Sequence, residues 1–213
     1  MRGTVSWLSP FVLLCALAST ACDSFSLLDQ FTLPDERLTL AVDRTTVERL
    51  IGTVGLTPSG GTAPYTFEEA GYDLYSGTNT QDTGSFSGLT YTAGRAIGRI
   101  RITVTDAAGS SAIAYVTVLP PAPIFTSGTR TGSGNTVQLE WSYADTTIID
   151  KYRLECSVDG QAYTITKEPN ASETAYSNPD NDLIPASTYS YMLYAVSGSY
   201  ESVPAFISLP PLP

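Results

Sequence analysis

Beyond residue 35 the chain nowhere sustains a 3.6-residue apolar period over 11 or more positions. Instead, short runs of Val, Ile, Thr and Tyr are separated by clusters of Gly, Pro, Asn, Asp and Ser. Successive side chains of a strand point to opposite faces, so a run that alternates apolar with polar has one dry face and one wet face. Ile100, Ile102 and Val104 alternate in this way with Arg99, Arg101 and Thr103. So do Val137, Leu139 and Trp141, then Tyr152, Leu154 and Cys156, then Tyr191, Leu193 and Ala195. This rhythm excludes a helical bundle and a doubly wound α/β fold. It predicts an all-β chain of two tandem antiparallel β-sandwiches.

Two segments are separated at Leu119-Pro120-Pro121-Ala122-Pro123. Three prolines in four residues remove ladder donors and favour an extended connector. The first sandwich is therefore expected over 36–119, the linker over 120–123 and the second sandwich over 124–213. Each segment is domain-sized, and the proline connector predicts few shared contacts and separate folding. Asp106 to Ser110 reads as a hairpin turn with Gly109 at positive φ, and Val158-Asp159-Gly160 as a second turn.

The first 21 residues read as a secretory signal peptide. Arg2 supplies the positive end, Phe11 to Ala18 the apolar stretch, and Ser19, Thr20 and Ala21 the small residues. The stretch is shorter than the ~20 apolar residues that span a bilayer. Ser19-Thr20-Ala21-Cys22 resembles the lipobox of bacterial lipoproteins, with Ser19 where that family usually has Leu. The resemblance implies lipid attachment at Cys22, a tether over 22–35, and a place in the bacterial cell envelope. That place is the outer membrane, on its periplasmic or its surface side. Asp23 points instead to the inner membrane under the enterobacterial rule. An ordinary signal peptidase cut after Ala18 or Ala21 is the competing reading. Cys15 would leave with the signal and Cys22 would carry lipid. Cys156 would then stand alone, without a disulfide framework.

Two further resemblances concern the sandwiches. SGGTAPYTF at 59–67, GSFSGLTYTAG at 84–94 and GRIRITVTDAAGSSAIAYVTV at 98–118 are similar to bacterial Ig-like repeats of secreted and surface proteins. Residues 124–213 resemble a fibronectin type III domain. The strand ending in Trp141 carries that likeness, together with Leu183-x-Pro185-x-x-x-Tyr189, which matches the family's tyrosine corner. It implies that Trp141, Leu183, Pro185 and Tyr189 lie in the structural core, and that the Tyr189 hydroxyl bonds to nearby backbone. The stretch from Ser177 to Asp182 reads as an insertion in that pattern.

Charge and residue inventory narrow the function. Acidic residues outnumber Lys and Arg 21 to 11, a net −10, which argues against a nucleic-acid protein and its basic face. The chain has no histidine, which excludes Ser-His-Asp and Cys-His catalysis and histidine-based metal sites. Three cysteines exclude a four-thiolate zinc site. Glu68 and Glu69 are adjacent on a strand and cannot converge as a catalytic pair. Asp180-Asn181-Asp182 is oxygen-rich but lacks a calcium-loop pattern and reads as a solvated polar loop. Tyr72, Tyr75, Tyr91, Tyr143 and Tyr200 are the aromatic candidates for a sugar site. Cys156 is in inward phase and reads as structural. No enzyme activity, cofactor or metal is expected. The leading expectation is a non-catalytic, lipid-anchored binding or adhesion module with a protein or polysaccharide ligand. A glycan-binding accessory module of an envelope enzyme system is the alternative.

Overall fold

The computed structural model describes residues 37–131, 136–178 and 183–212. The expectations for Cys22, the signal segment, the tether and Asp180 to Asp182 lie outside these residues. Among the described residues the chain is all-β, with one 3₁₀ turn at Thr146–Ile148.

Eight strands precede the proline connector: β1 (Thr39–Val42), β2 (Thr46–Glu48), β3 (Thr53–Ser59), β4 (Thr66–Leu74), β5 (Gly84–Ser87), β6 (Thr90–Ala93), β7 (Gly98–Thr105) and β8 (Ser111–Leu119). They form two four-stranded sheets, ordered β1-β3-β6-β5 and β2-β8-β7-β4. One pairing departs from the antiparallel expectation, because β2 runs parallel to β8, with Val47 opposite Val118. The chain changes sheets just before β2. The Asp43 carboxylate takes the Gly55 N–H at 2.9 Å, which fixes that crossing against β3. The inward residues read from the alternation, Ile100, Ile102 and Val104, are fully buried, and Val54, Tyr91 and Val116 are buried with them.

Eight strands follow: β9 (Ile124–Thr131), β10 (Thr136–Ser142), β11 (Lys151–Val158), β12 (Thr164–Lys167), β13 (Ala175–Asn178), β14 (Tyr189–Ser197), β15 (Tyr200–Glu201) and β16 (Ala205–Leu209). One sheet is ordered β13-β10-β9. The other is β12-β11-β14, with β15 and β16 both pairing β14. Val137, Leu139, Tyr152, Leu154 and Leu193 are fully buried between them. Burying such a side chain contributes about 1.5–3 kcal/mol. Cys156 is a free thiol, so packing must hold this sandwich together.

Both predicted turns form. Gly109 has φ +84, and Asp159 and Gly160 have φ +50 and +75. Two successive positive φ values make the primed turn that matches strand twist.

Leu38 to Pro213 group as one unit, and the two sandwiches share a seam that the linker composition did not suggest. Pro120 and Pro123 are buried, so the connector packs instead of spanning open solvent. Ile97, between β6 and β7, is fully buried in the hydrophobic cluster of the second sandwich, and Tyr75 packs beside it. Tyr75 donates its hydroxyl proton to Asp150 Oδ1 at 2.5 Å. Gly198 N–H donates to the other oxygen of Asp150 at 2.7 Å. Tyr200 reaches Asp73, and Arg49 lies 3.8 Å from Asp145. Linker composition reports on the connector alone, whereas these partners come from strands and loops distant in sequence.

Candidate functional site

The residues that carry the fibronectin-type resemblance divide between the two ends of the second sandwich, because Trp141 packs on Tyr152 at the start of β11 whereas Tyr189 lies opposite Val158 at its end. Trp141 is buried against Tyr152, edge to face, with ring centroids 5.5 Å apart. Burial pushes the Tyr152 phenol up, and the indole N–H of Trp141 pulls it partly back, although the two fall outside hydrogen-bond geometry. Leu183 is buried as expected, but Pro185 is not core: it is exposed at the turn ahead of Tyr189, where its carbonyl accepts the Leu212 N–H at 2.9 Å. The Tyr189 hydroxyl accepts the Ile184 N–H at 2.9 Å. Arg130 covers the Tyr189 ring at 4.7 Å and donates to the Ser187 carbonyl at 2.7 Å. This corner organises backbone.

Cys156 is half-buried, and burial raises its thiol above the ordinary value, away from the reactive thiolate. Glu68 lies opposite Thr103 and Glu69 opposite Ile102, so the pair divides between wet and dry faces. The Asp106 carboxylate accepts N–H bonds from Thr62, Ala108 and Ser110 at 2.9, 3.0 and 2.7 Å. Those donors, Thr62 foremost, hold it below the usual carboxylate range, and it serves as a loop tie. Among the described residues no three Cys, Asp or Glu side chains gather to hold a metal. A groove of about 310 Å³ between Val47, Ile51, Leu119 and Val203 has Arg44 and Glu48 as its charged lining.

The five aromatic candidates separate clearly. Tyr91 is fully buried, its ring packed on Phe86, so it is lost as a ligand contact. It falls in the inward phase of β6, a phase that four residues of sequence do not define. Tyr143 is half-buried against Tyr152. Tyr75 and Tyr200 belong to the seam. Tyr72 alone of the five is exposed, at 59%.

Tyr72 sits at a bulge in β4, where the register with β7 shifts between Gly71 and Asp73. A bulge re-aims its extra side chain. The Tyr72 ring meets that of Tyr115 edge to face, with centroids 5.1 Å apart. The Arg99 guanidinium lies 4.1 Å from the Tyr115 centroid and 5.4 Å from that of Tyr72. Arg101 is one outward position further along β7, directly opposite Tyr115, and Ile113 extends the face with 50% exposure. Among the described residues neither Arg99 nor Arg101 has a carboxylate within ion-pair distance, and neither side chain donates a hydrogen bond. Sequence alternation placed Arg99 and Arg101 on the wet face. Tyr115 was missed because its polar tip and apolar body fit either face of β8.

No protein-family model matches the chain, and no curated protein sequence matches it. Among solved structures it is similar to an Fn3-like protein from Clostridium thermocellum. That match has 29% identity over 41% of this chain and 88% of that one, with a TM-score of 0.34. It is also similar to a segment of two fibronectin type III domains from chicken tenascin. There the identity is 14%, over 80% of this chain and 97% of that one, with a TM-score of 0.46. The FN1–FN3 domains of chicken CNTN1 match with 11% identity, over 83% of this chain and 68% of that one, with a TM-score of 0.38.

Proposed function

We propose that this chain is a non-catalytic binding module, exported and held at a bacterial membrane by lipid on Cys22. It presents an Ig-like sandwich and a fibronectin-type sandwich as one stiff pair. The sheet orders favour those two assignments. β1-β3-β6-β5 facing β2-β8-β7-β4 follows the immunoglobulin strand arrangement. In the second sandwich, three strands face a sheet led by β11 and β14, with a tyrosine corner at the start of β14.

The observation that carries the reading is the pairing of an exposed aromatic–arginine face on the first sandwich with a seam that fixes its orientation on the second. A stiff carrier with one such face suits binding, since rigid presentation lowers the ordering cost of association. Glu68 and Glu69 divide between opposite sheet faces and the Asp106 carboxylate is consumed by backbone N–H groups, which suits a module without chemistry of its own. Detergent phase partitioning tests the membrane part. The mature chain should enter the detergent phase, and Cys22→Ser should stay aqueous. Equal partitioning of the two would overturn the lipid anchor.

A further inference from the structure

The face built from Tyr72, Arg99, Arg101 and Tyr115 has features that a solvated sheet surface does not need. Two arginines stand two residues apart on one strand face, about 7 Å along β7. The chain has a net charge of −10, yet among the described residues neither guanidinium has a carboxylate within ion-pair distance. Arg153 shows the contrast in the same molecule, because it is paired with Glu155 and Glu201. The carboxylates nearest the first pair are engaged or offset. Asp73 lies directly across from Arg99 but gives its carboxylate to the Tyr200 hydroxyl at 2.9 Å, and Glu68 lies across from Thr103, one outward position beyond Arg101. A guanidinium stacked on a ring keeps its in-plane N–H fork free, and that fork matches a carboxylate bidentately. Tyr rings supply rigid, amphipathic contact faces beside it.

We infer that this face binds an acidic polysaccharide, with a pyranose ring resting on exposed Tyr72, Tyr115 holding Tyr72 and Arg99 in place, and uronate carboxylates taken by Arg99 and Arg101. A neutral glycan would leave the two guanidiniums unused. A flexible acidic peptide would use the charge but not the fixed ring faces. The inference rests on the reading of the chain as a binding module and names that module's ligand class.

Titration calorimetry on the full mature chain in detergent tests it, with polygalacturonate, neutral dextran and poly-L-glutamate as probes. Polygalacturonate should bind, with affinity that falls as salt rises. Arg101→Gln and Tyr115→Ala should each weaken it at least tenfold. Ile165→Ala, at an exposed position of the second sandwich, should change nothing. The Arg101 side chain is exposed and, among the described residues, makes no hydrogen bond or ion pair, so a loss of binding cannot be ascribed to unfolding. No binding of polygalacturonate, equal binding of dextran or poly-L-glutamate, or full affinity in Arg101→Gln would each overturn the inference. If polygalacturonate fails while Cys22 carries lipid, only the ligand assignment falls. If it binds while Cys22 is bare, the membrane reading falls and the ligand assignment stands.

Discussion

The Tyr200 hydroxyl lies 2.9 Å from both the carbonyl oxygen and a carboxylate oxygen of Asp73, 127 residues away in the chain. One phenolic proton thus ties β15 of the second sandwich to β4 of the first. Tyr75 and Asp150 make the reciprocal tie. Ile97, a first-sandwich residue, is buried in the second cluster, and its carbonyl accepts the Tyr75 N–H at 2.9 Å.

Unfolding of the two sandwiches should therefore be coupled. Trp141 is the only tryptophan in residues 22–213, so its emission reports on the second sandwich alone, whereas far-ultraviolet circular dichroism reports on both. The two urea transitions should coincide. Tyr75→Phe and Tyr200→Phe each remove one hydrogen bond and should cost about 0.5–1.5 kcal/mol. The double variant should split the transitions. Separate transitions in the unmodified chain would refute the coupling.

How far the sequence spoke follows from where each signal resides. Alternation along β7 and β10 correctly gave Ile100, Ile102, Val137 and Leu139 as core, because a buried strand face writes itself every second residue. Gly109 and Asp159-Gly160 were legible as turns because positive φ selects few residue types. The seam was not legible. Asp73, Tyr75, Asp150 and Tyr200 meet through tertiary geometry, and no spacing encodes their contact. The exposed face was half legible. Arg99 and Arg101 declare their phase, but Tyr72 reaches Tyr115 only through a bulge that leaves no residue pattern.

The core of the second sandwich should be sensitive to its aromatic centre. Emission from Trp141 should be blue-shifted and protected from iodide. Trp141→Ala should cost about 3–5 kcal/mol. Tyr189→Phe keeps the ring and strands only the Ile184 N–H, so about 1–3 kcal/mol is expected. Urea titration of both variants checks the order.

Two glycines should differ in kind. Gly98 has φ +131, and a Cβ there would lie 2.3 Å from the Asp73 carbonyl oxygen and 2.7 Å from Leu74 Cα. Gly109 has φ +84 with open space around it. Gly109→Ala should cost about 1–2 kcal/mol from left-handed backbone alone. Gly98→Ala adds a clash with backbone and should lower the melting temperature further. Equal losses would mean that β4 yields freely at this point.

Stability should fall at high pH through the seam. Burial and the bond to Asp73 raise the Tyr200 phenol, and the bond to Asp150, with burial, raises Tyr75. The unfolded phenols lose their protons near pH 10 while the folded ones keep theirs. The stabilisation is therefore complete below pH 10 and is lost as pH rises through the folded values. Asp106 and Asp159 act in the opposite sense, because N–H donors from Thr62 and Thr188 lead in holding them low. Their contribution is present above an unfolded value near 3.8 and is lost as pH falls through the folded ones. Urea midpoints at pH 3, 7 and 10.5 should peak at pH 7. The double Tyr→Phe variant should flatten the alkaline limb.

The mass of the mature N-terminal tryptic peptide is the most direct test of a membrane-tethered module. Trypsin should release Cys22 to Arg37 as one peptide, since no Lys or Arg lies between them. The account predicts that this peptide begins at Cys22 and carries the added mass of a diacylglyceryl group. An unmodified peptide beginning at Ser19 or at Cys22, or a chain that still starts at Met1, would contradict it.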